Sequence, residues 1–139
     1  LFGQHIDPIN VGTLVDIFRT VENSCLLGTD AVRDGVDVPG NSLRLCVFDK
    51  VPWPRPTILH KARREHFGKQ TYDDLLTRLR MKQAFGRLIR KKTDKGVFVM
   101  LDGASPTRLL SGLPESVIIE RIGLAETIRK TKEFLTEAD

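Results

Sequence analysis

Apolar positions recur along this chain with two different periods, and the alternation between them predicts the elements. Leu14, Val15 and Phe18 fall at i, i+1 and i+4, which predicts a helix from about Gly12 to Val21. The apolar run from Ser24 to Gly28 predicts a short buried strand, and a Gly/Asp/Pro-rich loop follows from Thr29 to Ser42. Leu43 to Asp49 is apolar at consecutive positions, as expected for a strand covered on both faces. Val51-Pro52-Trp53-Pro54-Arg55-Pro56 must be extended, because proline at alternate positions excludes a helix. Helical spacing returns over Ile58 to Phe67 and Tyr72 to Arg90. Gly96 to Leu101 predicts a third strand ending at Asp102, with one short helical turn at Thr107 to Leu110. Val117 to Ile122 is a candidate fourth strand, and an amphipathic helix closes the chain from about Leu124 to Leu135. Strands alternating with helices predict an α/β layered domain with a mainly parallel sheet.

Two stretches carry candidate chemistry. On a helix reaching Arg90, the residues Gln83, Arg87 and Arg90 stand at i, i+4 and i+7 and project from one face. Met81, Phe85, Leu88 and Ile89 then form the opposite, core-facing stripe. Gly86 lies beside the Gln/Arg face, although glycine inside a helix costs roughly 1 kcal/mol relative to alanine. One amide and two guanidinium forks on a rigid scaffold suit a phosphoryl group; the alternative is a solvated basic face. The second stretch is the loop Gly28-Thr29-Asp30-Ala31-Val32-Arg33-Asp34-Gly35-Val36-Asp37-Val38-Pro39-Gly40. Its glycines permit tight turns and close backbone approach, Thr29 offers a hydroxyl and an N–H, and Asp37 offers an acceptor between two valines. A plain turn is the competing reading. The chain contains no G-x-x-x-x-G-K-[ST] phosphate loop, so any nucleoside triphosphate site on it is only partial.

Composition narrows the class without naming it. The 139 residues are 40% apolar and 29% charged, ordinary for one globular domain. No apolar run approaches the ~20 residues that span a bilayer, and no signal-peptide pattern opens the chain, so the expected location is the cytoplasm. Cys25 and Cys46 lie in apolar runs and are expected to be buried thiols, and the three histidines show no ligand spacing, so no metal site is expected. A net charge of +4 is compatible with a polyanion partner but does not demand one. The absence of an initiating methionine suggests that residues 1–139 form one domain of a longer chain.

The two stretches occur in a telling order. A strand leads to Gly-Thr…Gly-Val-Asp-Val-Pro-Gly, and a second strand ends in Asp49-Lys50-Val51-Pro52-Trp53. Gln-x-x-Gly-Arg-x-x-Arg and a third strand follow. From about Cys25 to Asp102 this strongly resembles the second RecA-like motor domain of superfamily 2 DNA helicases, in particular the DinG branch related to the XPD helicases. The resemblance implies that Gln83, Arg87 and Arg90 face ATP bound on the first motor domain. Arg90, and with it Arg87, would then serve as arginine finger. It implies that Gly35 and Asp37 link nucleotide contacts to the strand-binding groove, and that Thr29 contacts a nucleic-acid phosphate. ATP and Mg²⁺ would be held mainly by the other RecA-like domain of the same protein, and an iron–sulfur cluster, where present, belongs to that other part. The implied track is single-stranded DNA, moved along 5′→3′, with no membrane partner.

One departure is visible. The branch usually has an aromatic residue and Glu before Gly-Val-Asp, where this chain has Arg33 and Asp34. An arginine at position 33 would exchange packing or base stacking for a phosphate or carboxylate contact. Arg55 is read either as a phosphate contact or as a solvated loop arginine, and Trp53 as a base-stacking ring or a packing anchor. Lys61, Arg63 and Arg64 read as a solvated helix face, and Asp49 and Asp102 as loop caps. Two other classes compete with the motor: a stand-alone nucleic-acid-binding module with a degenerate motor fold, and an interaction domain with no nucleic-acid role.

Overall fold

The computed structural model describes residues 1–30, 32, 37, 38 and 42–137. Strands β1 (Phe2–Gly3), β2 (Leu26–Leu27), β3 (Leu45–Phe48) and β4 (Val97–Met100) are joined by helices α1 (Val11–Thr20), α2 (Ile58–Phe67) and α3 (Lys69–Leu88). A 3₁₀ helix (Thr107–Gly112) and α4 (Leu124–Thr136) follow. The architecture is α/β with parallel pairing, as the alternation predicts. Among the described residues the pairing forms two separate ribbons instead of one sheet: β1 with β2 and β3 with β4, both parallel. Each parallel pair is bridged by a helical crossover, α1 in the first and α2–α3 in the second.

Local chemistry explains the helix boundaries. Asn10 caps α1, its side chain accepting from the Thr13 N–H at 2.9 Å, and Thr57 caps α2 in the same way through the His60 N–H at 3.1 Å. Gly68 separates α2 from α3 at φ 89°, a backbone conformation that glycine adopts freely and other residues resist. Along α3 the buried residues are Asp74, Thr77, Met81, Ala84 and Leu88, spaced alternately three and four apart. This stripe includes two polar residues that the hydrophobic pattern passes over. Asp74 accepts a two-pronged contact from Arg108 at 2.7 and 3.2 Å, and Arg78 donates to the Arg108 carbonyl, so the 3₁₀ helix is tied to α3 by both charge and backbone.

The core is correspondingly in two parts. Val15, Val32 and Val38 form one, joined by Val11, Phe18, Leu26 and Leu43; Val51, Met81 and Leu109 form the other, joined by Met100.

Several expectations need correction. The strand expected at Leu43 to Asp49 shrinks to four residues, and it is not covered on both faces, since Leu45 and Val47 remain 41% and 48% exposed. Cys25 is exposed rather than buried, because β2 pairs over only two residues and leaves it at the ribbon's end; Cys46 is half-buried, and burial pushes its thiol up to about 11. Val117 to Ile122 forms no strand: no described strand lies beside it to accept its backbone, and Ile118 is 90% exposed. The helix expected to reach Arg90 stops at Leu88.

Candidate nucleotide and nucleic-acid site

The end of α3 decides how the Gln/Arg motif is presented. The Ile89 N–H still bonds to the Phe85 carbonyl at 3.0 Å, but Ile89 itself is extended at φ −120°, ψ 107°, so Arg90 lies beyond the helix. The predicted common face of Gln83, Arg87 and Arg90 therefore holds for the first two only. Arg90 is placed instead by a tight turn. Asp94 accepts from the backbone N–H groups of Arg90 and Lys91, both at 2.8 Å, and its own N–H donates to the Lys91 carbonyl at 3.1 Å. These bonds hold the Asp94 carboxyl below the usual carboxylate range, Lys91 first and Arg90 second.

From that turn the Arg90 guanidinium reaches Asp37, with which it forms an ion pair. The hydrogen bond from Arg90 is the main reason the Asp37 carboxyl titrates below its ordinary value, reinforced by the charge of Arg90 and more weakly by those of Arg19 and Arg87. Arg19 also donates to the Asp37 carbonyl at 2.7 Å, anchoring this residue to α1. The fold thus gathers Arg90, Asp37, Arg19 and Arg87 at one place, although they come from separate parts of the sequence. Gln83 and Gly86 are exposed on α3, and nothing lies within 4 Å of the position a Gly86 Cβ would take. Arg87 is half-buried.

A second polar group lies at the end of the β1–β2 ribbon. The Gln4 N–H extends the ladder to the Leu27 carbonyl at 2.9 Å, and the Gln4 side-chain oxygen accepts from both the Thr29 N–H and the Thr29 hydroxyl, each at 2.9 Å. Arg55 is exposed on the proline-bounded loop, and Trp53 is 41% exposed. Arg80 stiffens this loop by donating to the carbonyls of Pro52 and Trp53 at 3.0 and 2.9 Å. Lys61 and Arg63 are exposed as a solvated face requires, and Arg64, partly exposed beside them, also pairs with Asp73 at 2.7 Å. Asp102 behaves as the loop cap expected of it, accepting from the Val51 and Ala104 N–H groups. Arg33 and Gly35, both singled out from the sequence, lie outside the described residues.

A family model described as the helicase C-terminal domain matches residues 2–117. The chain belongs to the helicase C-terminal domain family. This helicase C-terminal domain is 36% identical over 105 residues to the ATP-dependent helicase DinG of Mycobacterium tuberculosis, a match covering 70% of the chain and 16% of the relative. It is 37% identical over 98 residues to the ATP-dependent DNA helicase YoaA of Escherichia coli, covering 66% of the chain and 15% of the relative. It is 31% identical over 132 residues to a Bacillus subtilis protein named 3′-5′ exonuclease DinG, covering 86% and 14%. The chain therefore spans about a sixth of the length of these relatives. No solved structure matches it significantly.

Sequence reasoning missed Gln4, Arg19 and Asp94 as members of these groups. Asp94 carried a signal, since an aspartate in the polar run Lys91-Lys92-Thr93-Asp94-Lys95-Gly96 is a turn former. Gln4 and Arg19 carried none; only the tertiary fold brings them to Thr29 and Asp37.

Proposed function

We propose that this domain works as the second motor domain of an ATP-dependent DNA helicase, coupling ATP hydrolysis to 5′→3′ movement along single-stranded DNA. The observation that carries the reading is the family match over residues 2–117, to which the names of the DinG and YoaA relatives add the activity. The donor set suits an anionic phosphoryl group: two guanidinium groups and an exposed amide, with open space at Gly86. The chain carries no phosphate loop of its own, so in this reading ATP and its magnesium ion are held mainly by the other motor domain.

In this reading Arg90 stabilises the charge that builds on the transferred phosphoryl group, and Arg87 and Gln83 orient it. Arg90 exchanges one carboxylate partner for phosphoryl oxygens as it does so. The Asp37 side chain is 72% exposed, and ion pairs so open to water hold weakly, so the exchange meets little resistance. In the full-length protein, Arg90→Ala should lower ATP turnover on the order of 10³-fold while leaving ATP affinity close to wild type. Steady-state turnover and equilibrium ATP binding measure the two. Turnover unaffected by the substitution rejects the arginine-finger role. The isolated 139-residue chain should hydrolyse no ATP, having no phosphate loop.

A further inference from the structure

We infer that Gln4, not Thr29, is the side chain that meets a nucleic-acid phosphate at the end of the β1–β2 ribbon. The inference rests on the nucleic-acid reading above and assigns its contact to a different residue. Thr29 has two donors, the backbone N–H and the hydroxyl, and both are spent on the Gln4 side-chain oxygen at 2.9 Å. That oxygen has two lone pairs, and both are now used. The orientation of the carboxamide follows from the chemistry, because an N–H and an O–H donated to one atom require that atom to be the oxygen. The Gln4 NH₂ group then keeps two N–H donors on the other side of the carboxamide, with no partner among the described residues. Gln4 itself is only partly buried, and its neighbours His5 and Thr29 are exposed, so an extended polyanion can approach.

The position is rigid as well as open. The Gln4 N–H is held by Leu27, and the chain turns sharply at His5, which adopts a φ of 66°. Neutral amides are ordinary phosphate donors, positioning a strand without reading its sequence. Gln4 therefore has two roles in one side chain: its oxygen orders Thr29 and its nitrogen faces the backbone of the strand.

The test compares Gln4→Glu with Thr29→Val in the full-length protein, measuring binding to oligo(dT) across a salt series. Glutamate keeps an oxygen acceptor for both Thr29 donors but puts a carboxylate oxygen where the NH₂ stood. Gln4→Glu should weaken binding roughly 10-fold or more, and Thr29→Val should weaken it less. Equal thermal melting of the two variants and wild type guards against a folding artefact, and Gln4→Ala provides a second variant without the added charge, also expected to weaken binding. If Gln4→Glu binds as wild type while Thr29→Val is the weaker binder, Thr29 is the contact and the inference falls. If wild-type protein fails to bind oligo(dT) even at low salt, the nucleic-acid reading itself falls, and this inference with it.

Discussion

Asp94 sets the starting point of the Arg90 side chain, because its carboxylate closes the turn that follows α3 by accepting two consecutive backbone N–H groups at 2.8 Å. A charged acceptor bonded to two amides is stronger than a neutral one, and it needs no burial to define geometry. Asp94→Ala should therefore leave the domain folded but let Arg90 wander. On the arginine-finger role proposed for Arg90, misplacing its guanidinium lowers turnover more than binding. The expected result in the full-length protein is a fall of roughly tenfold in kcat with little change in ATP affinity, measured by steady-state kinetics. The pH dependence has a defined sign. Asp94 titrates below its unfolded value, so its contribution to the folded state is complete above the ordinary carboxylate range. It is lost only as pH falls through the lowered value. The turn should thus survive mild acid, observable as unchanged Arg90 and Lys91 amide shifts in NMR spectra down to about pH 4.

The end of α3 is governed by two glycines with opposite demands. Gly86 sits in the helix with nothing within 4 Å of a would-be Cβ, so alanine there meets no clash and gains helix propensity. Gly96, just before β4, is the reverse: its Cβ would lie 2.6 Å from both Cγ and Cδ1 of Leu88, a residue only 3% exposed. Gly86→Ala should raise stability by up to about 1 kcal/mol. Gly96→Ala should lower it by about 1–3 kcal/mol, by pushing on a packed side chain at the helix end. Chemical denaturation of the domain separates the two. If Gly86 is bare so that a phosphoryl group can approach, the stabilised variant should still lose ATP turnover in the full-length protein. A Gly86→Ala variant with full turnover removes that role.

Elements of this kind were unequally legible in the sequence. The helices over Val11–Thr20 and Ile58–Phe67 follow from periodicity and from caps a few residues away, Asn10 and Thr57, so local pattern suffices. The end of α3 was missed because Gln83 to Arg90 has good helical spacing, and the turn that overrides it depends on Asp94, beyond the window. Candidate residues Gln83, Arg87, Arg90 and Asp37 could be read from motif order. The Arg90–Asp37 pair could not, because it joins positions 53 residues apart and depends on how β2, α1 and α3 pack.

At the scale of the whole molecule, the described residues form two small cores, and the chain beyond Val117 adds to neither. α4 buries no residue, and Leu124 and Ile128 are 62% and 60% exposed on it. Its order comes from within: Arg129 pairs with Glu126 and Glu133, and Lys130 reaches back to Glu120. Such exposed pairs are screened by water and hold weakly, and a 13-residue helix is marginal in water without packing. The segment is tied to the rest through Arg121, which donates to the Ser105 carbonyl and the Thr107 hydroxyl at 2.9 and 3.1 Å. The family match ends at the same point, residue 117. A chain shortened to residues 1–117 should therefore melt within a few degrees of the 139-residue chain, since the contacts it loses are exposed and screened by water. Hydrogen exchange provides the independent check: amides of α4 should exchange far faster than those of Thr77 to Leu88 in the intact chain, and faster still in high salt, which screens the Arg129 pairs. A large loss of melting temperature on truncation, or protection of α4 equal to that of α3, would mean that the C-terminal helix carries stabilising packing after all.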